Sequence, residues 1–190
     1  MDDPDMQELF RRSVGSFGER VHAIRDDQWT AATPCSEWDV RALVGHLVTE
    51  VAWAAPLVGG KSVADVGDEL SGDLLGDDPK AAWDRHSAEA ASAVGEDGAM
   101  ERTVRLTRRE LPASEYTFEI FTDLLIHGWD LARAIGGQEG LDPESVEIVY
   151  RKVKPDEAAL KASGMFGSQV TPPPDADAQT QLLAIFGRVT

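Results

Sequence analysis

Asp123 and His127, four residues apart, are the first pair in this chain with the types and spacing to do chemistry. On a helix their side chains stand one turn apart on a single face. A carboxylate and an imidazole so placed can share one divalent ion, and helical bundles build metal sites from such pairs. Taken alone, the spacing describes a solvated hydrogen bond equally well. His46 adds weight, with Glu50 one turn further and Trp53 another turn on. A lone His at the edge of an apolar stripe is more often a packing residue. Two edge positions on two helices of one bundle can nevertheless converge. His46, Asp123 and His127 would then form a mononuclear metal site, with positions left open for water or substrate as in catalytic rather than structural sites. Glu50 is a candidate fourth ligand, or a partner that orients His46.

The other reactive types point elsewhere. His22 lies off the apolar stripe of its helix and reads as solvated. His86 sits on an inner stripe beside Trp83 and reads as a hydrogen-bonded core histidine before a ligand. Cys35 is the chain's one cysteine, which excludes an internal disulfide and a Cys-rich zinc site. No His or Asn stands near it in a recognisable pattern, so a free, half-buried thiol is the expectation. The five tryptophans fall on or beside helix stripes and read as core.

Five helical segments must position these residues. Asp3-Pro4 pairs a cap with a first-position proline, and Met6, Phe10, Val14, Phe17 and Val21 follow at helical spacing, predicting a helix over 4–26. Ser36 and Asp39, spaced like a capping box, open a second over 37–58 with Leu43, Leu47 and Val51 on its stripe. The Gly-, Asp- and Ser-rich stretch 61–78 reads as a long connection. A third helix is predicted over 79–95 behind Asp78-Pro79. Strand content is confined to 101–112, with a strand at Thr103 to Thr107 and a turn at Leu111-Pro112-Ala113. The fourth helix covers 115–135, stopping at Gly136-Gly137. The fifth opens at Asp142-Pro143 and runs to about Ala162. Residues 163–174, with three consecutive prolines, cannot be helical throughout.

The sum is an all-α chain in one domain over 1–190, an antiparallel four-helix bundle with an appended helix. In it, 163–190 form a docking tail. Leu182, Leu183, Ile185 and Phe186 are expected to pack on the bundle of the same chain or on a second copy in a homodimer.

The formal charge is −16, from 34 acidic against 18 basic residues. Nucleic acid and anionic membranes are thereby disfavoured as partners. The one basic cluster, Arg105, Arg108 and Arg109, reads as a solvated loop. No run reaches the roughly 20 apolar residues that span a bilayer, and the acidic N-terminus is unlike a secretory signal, so a cytoplasmic location is expected.

Two strings carry a resemblance. Thr33-Pro34-Cys35-Ser36-Glu37-Trp38-Asp39-Val40, continuing through Gly45-His46-Leu47, is similar to the N-terminal domain of mycothiol-dependent maleylpyruvate isomerases. So is Asp123-Leu124-Leu125-Ile126-His127-Gly128-Trp129-Asp130-Leu131-Ala132-Arg133. The likeness covers nearly the whole chain and is nearest to a small actinobacterial subfamily. It implies a DinB-like metal-dependent bundle in which a histidine of the Gly-His-Leu motif, an acidic residue and a later histidine bind a divalent ion. By position these are His46, Asp123 and His127. The isomerase has Glu where this chain has Asp123. The resemblance is to the isomerase's N-terminal domain and does not extend to its separate C-terminal domain. The resemblance further implies zinc or nickel as the ion and mycothiol as a cosubstrate, with a small-molecule thiol or electrophile as partner. A thiol transferase or isomerase is then one expectation, and a non-catalytic metal or small-ligand binding module with the same site is the other.

Overall fold

The computed structural model describes residues 5–162 and 170–190. The cap expected at Asp3-Pro4 and the break expected over 163–169 lie outside them. Among the described residues the chain is predominantly helical, as the stripes require. Helix α1 spans Met6–Ala23, with the Asp5 carboxylate accepting from the amides of Gln7 and Glu8. Helix α2 spans Val40–Val58 and starts later than the sequence pattern indicates. Asp39 is not the third residue of a helix opened at Ser36. It is the cap itself, accepting from the Ala42 amide at 2.8 Å. The stretch expected as pure connection contains a one-turn helix α3, Val63–Val66, capped by Ser62. Helix α4 spans Pro79–Val94 behind its Asp78 cap.

Strands β1 (Thr103–Arg105) and β2 (Glu110–Pro112) pair antiparallel, Val104 facing Leu111. The turn expected at Leu111 is therefore displaced. The chain reverses at 106–109, where the Leu106 amide donates to the Arg109 carbonyl, and Leu111-Pro112 is strand. Alternation in residues 103–107 revealed the first strand, but a three-residue partner is too short to alternate visibly. Helix α5, Ala113–Ile135, ends at Gly136, whose φ of 70° is the left-handed stop that glycine adopts without strain. Helix α6 spans Pro143–Val153 and α7 Glu157–Ala162, separated by a 3₁₀ turn at Lys154–Asp156. One continuous fifth helix fails at Pro155, which has no amide to donate. Helix α8 covers Ala178–Ile185.

The chain divides into two compact units, Met1–Gly137 and Gln138–Thr190. In the first, α1 packs on α4 and α5, and α2 packs on the same two helices, closing a four-helix ring. Side-chain contacts fix the directions. Gln7 near the start of α1 donates to the carbonyl of Val94 at the end of α4, while His22 near the end of α1 meets Asp84 near the start of α4. These two helices are antiparallel. Gln28, just beyond α1, donates to the Ile135 carbonyl at the end of α5, so α1 and α5 run together. Arg41 at the start of α2 reaches Asp73 and Gly76, shortly before α4 begins, so α2 and α4 also run together. A 19-residue helix is about 28 Å long at 1.5 Å per residue. The chain between α2 and α4 must retrace that length, which accounts for the long connection.

The bundle interior holds Phe10, Phe17, Val21, Leu43, Leu47, Val51, Trp83, Ile120 and Leu124, all essentially buried. Each such side chain contributes roughly 1.5–3 kcal/mol. In the second unit α8 packs on α6. Tyr150 donates to the Gln181 side chain at 2.8 Å, and the Gln179 side chain accepts from the Leu141 amide at 2.9 Å. Leu182, Leu183, Ile185 and Phe186 are buried. Among the described residues no helix is long and apolar enough to cross a membrane.

Trp83 of α4 packs directly on α1 at Gly18, where an added Cβ would lie 2.8 Å from Trp83 Nε1. Gly18→Val should therefore destabilise the protein by about 1–3 kcal/mol through overpacking. Gly15, one turn earlier, has nothing within 4 Å of such a Cβ. Gly15→Ala should stabilise by up to ~1 kcal/mol from helix propensity alone. Thermal melts of the two variants should move in opposite directions, and a Gly18→Val melt at or above wild type would refute the packing account.

Candidate functional site

The antiparallel pairing of α2 with α5 lays early residues of one helix against late residues of the other. His46, on the second turn of α2, faces Asp123 in the middle of α5, with Nε2 3.4 Å from Oδ2. His127, one turn along α5, completes the set. Each of the three offers one ligand atom, and these atoms all lie within 4.8 Å of one another. The His127 and His46 rings meet edge-on, centroids 5.3 Å apart. Side-chain exposure rises from 11% at His127 through 26% at His46 to 37% at Asp123. The cluster is thus rooted in the bundle and opens at its edge, the position the sequence stripes imply for both helices.

A carboxylate behind it holds His127 in place. Asp130, one turn further on α5, is completely buried, and its Oδ2 lies 2.9 Å from His127 Nδ1. With Nδ1–H donating to Asp130, the lone pair of the neutral ring falls on Nε2, the arrangement by which outer carboxylates orient metal-ligating histidines. Sequence reasoning passed over Asp130. Its i,i+3 relation to His127 was the available signal.

Cys35 is a second residue the sequence pattern misplaced. The chain before α2 folds back through the Thr33 hydroxyl, which donates to the carbonyls of Cys35 and Trp38. The thiol thereby comes to 3.3 Å from Asp130 Oδ2 and 3.8 Å from His127 Nδ1. It is half-buried as expected, but it does stand beside a histidine, 92 positions away along the chain. Trp38 also exceeds a core role. Partly buried against the core, it lies 4.8 Å from the His46 ring and 5.6 Å from His127.

Glu50 is half-buried one turn beyond His46. Its carboxyl is pushed above the usual glutamate range, chiefly by desolvation and further by the charges of Asp123 and Glu119, against a lowering by His46. It is not in the three-ligand cluster. Tyr116 beside it is likewise pushed well up, by burial first and then by Glu50. His22 pairs with Asp84 at the surface, 2.8 Å apart. His86 is buried, and its Nε2 accepts from Arg85 at 2.9 Å. Two arginines of the basic cluster are engaged in pairs, Arg109 with Glu119 and Arg105 with Glu110. A cleft of about 330 Å³ adjoins His46, lined by Trp38, Ala42, Gly45, Thr49 and Leu74 among others.

The chain as a whole has recognisable relatives. The model of a family described as the mycothiol maleylpyruvate isomerase N-terminal domain matches residues 10–132. An uncharacterized protein of Mycobacterium tuberculosis (strain CDC 1551 / Oshkosh) is 33% identical over 134 residues, 70% of this chain and 69% of that protein. One from strain ATCC 25618 gives the same figures. Among solved structures, the crystal structure of the mycothiol-dependent maleylpyruvate isomerase superposes with a TM-score of 0.63 at 15% identity, over 84% of this chain and 71% of that one. A His-to-Ala mutant of that isomerase superposes at 0.57 and 14% identity, with the same coverage. At such identities the structural likeness is one of fold.

The displaced Glu50 carboxyl has a signed consequence for stability. Because it holds its proton more tightly in the folded state, its ionisation opposes folding. The penalty is absent below the unfolded glutamate value, near 4.3, and grows as pH rises through the higher folded one. Metal-free Glu50→Gln should therefore melt above wild type at pH 7, with the difference vanishing below about pH 4. A variant melting below wild type at pH 7 would contradict the desolvation account.

Proposed function

The chain belongs to the mycothiol maleylpyruvate isomerase N-terminal domain family, and from that premise we propose that His46, Asp123 and His127 hold one divalent ion at which a low-molecular-weight thiol is used for transfer or isomerisation. The observation that carries this reading is the approach of two imidazoles and one carboxylate within 4.8 Å, with a buried carboxylate already orienting one of the rings. The donor set fits zinc or nickel, which accept nitrogen and oxygen ligands together. When bound, such an ion supplies Lewis acidity that lowers the pKa of a thiol, about 8.5 when free.

The chain's own residues set the terms. Two neutral imidazoles and one carboxylate cancel a single charge of a dication, so the site keeps a net attraction for an anionic thiolate. Three protein ligands leave positions open to it. Asp130 keeps the Nε2 lone pair of His127 available. Trp38 flanks both rings on one side and limits water there. The cleft of about 330 Å³ beside His46 suits a small substrate, and mycothiol is the thiol that the family name suggests. Asp123 is shorter than the glutamate of the isomerase, so affinity and ion choice are this chain's own.

Zn²⁺ or Ni²⁺ added to metal-free protein should raise its stability by mass action, roughly 2.7 kcal/mol at 100 times the dissociation constant. For a chain of this size that is about 5–10 °C in melting temperature. His46→Ala, Asp123→Ala and His127→Ala should each remove most of the rise, while His22→Ala keeps it. Calorimetry should then find mycothiol binding only to the metal-loaded protein. Ligand variants that keep the full rise would move the ion elsewhere. Metal binding without any thiol binding at millimolar concentration would reduce the protein to a metal-binding module.

A further inference from the structure

We infer that Cys35, His127 and Asp130 form a second donor set, one that captures thiophilic cations and competes with the proposed site for His127. The three atoms already converge. Cys35 Sγ is 3.3 Å from Asp130 Oδ2 and 3.8 Å from His127 Nδ1, and Nδ1 is 2.9 Å from Oδ2. Ligands at the usual zinc distances stand about 3.4–3.6 Å apart around a tetrahedral ion. The two sulfur distances bracket that span and need shift by only a few tenths of an ångström, while the histidine–aspartate contact must open by roughly half an ångström. Cys35 is half-exposed in the loop before α2. Asp130, completely buried, closes the set from behind.

Binding there balances simply. The thiol proton leaves to solvent, the imidazole proton passes from Nδ1 to Nε2, and no electron moves. Thiolate and carboxylate together neutralise a dication, and the sulfur selects soft ions such as Cd²⁺ over harder ones. A neutral imidazole carries one lone pair. His127 therefore cannot offer Nε2 to His46 and Asp123 while offering Nδ1 to Cys35 and Asp130. An ion in either set takes His127 from the other, so the chain holds one ion and not two. The competition rests on the site proposed above, whereas capture by Cys35 does not.

Cadmium titration of the metal-free full-length chain tests this, because the chain has a single cysteine and any thiolate-to-cadmium absorption reports on Cys35. The wild type should show that absorption and saturate at one ion per chain. His46→Ala, which breaks only the first set, should keep it. Asp130→Asn and His127→Ala should each weaken cadmium binding at least tenfold, with circular dichroism confirming the fold. Cys35→Ser should lose the absorption and retain the nickel-induced rise in melting temperature. No thiolate absorption in His46→Ala, or full cadmium affinity in both Asp130→Asn and His127→Ala, would overturn the second set. Two ions per chain would overturn the competition. Failure of the first site reads out separately, as a nickel response indifferent to His46→Ala with the cadmium absorption intact.

Discussion

A carboxylate with no exposed surface carries a desolvation cost of several kcal/mol that only close donors offset. In this chain that carboxylate is Asp130, and its donors at 2.9 and 3.3 Å are His127 Nδ1 and the Cys35 thiol. The need to satisfy it ties the middle of α5 to the loop that leads into α2. It orients the His127 ring and ties it to the Cys35 thiol, which the Thr33 hydroxyl bonds bring into reach. His127 is held from behind, with a ligand atom of its ring within 4.8 Å of those of His46 and Asp123.

The bundle supplies the second constraint. Helices α1 and α5 run one way and α2 and α4 the other, so the pairing of α2 with α5 is antiparallel. That pairing places His46 opposite Asp123 and puts Glu50 next to the acidic residues of the following turn. The crossover from α2 back to the start of α4 lays Gly72, Asp73 and Leu74 along the cleft beside His46. The connection that topology makes unavoidable thus becomes one wall of the space in which a small molecule would sit.

Much of this was legible in the sequence, and the exceptions have physical reasons. Helical periodicity located the bundle helices because each buries a long stripe, and Asp78-Pro79, Asp142-Pro143 and Gly136 marked their ends through cap and stop chemistry. Ser36 misled because the helix opens three residues later, where Asp39 caps the Ala42 amide. Pro155 was readable as a break, and the reading of one continuous fifth helix passed over it. The second strand and the α3 turn are too short to impose a pattern. His46, Asp123 and His127 were selected by edge position and spacing, both local properties. Cys35 and Trp38 were read as bland because their significance is tertiary: nothing within several residues of Cys35 announces a histidine 92 positions later.

The decisive question is whether His46, Asp123 and His127 share one ion. Crystals grown with Zn²⁺, with diffraction recorded at the zinc absorption edge, answer that directly. The predicted result is one anomalous peak per chain, within about 2.0–2.2 Å of His46, Asp123 and His127, with Asp130 still hydrogen-bonded to the far nitrogen of His127. An anomalous peak that leaves His46 and Asp123 without a bond to the metal, or a saturated crystal with no peak at all, would contradict it.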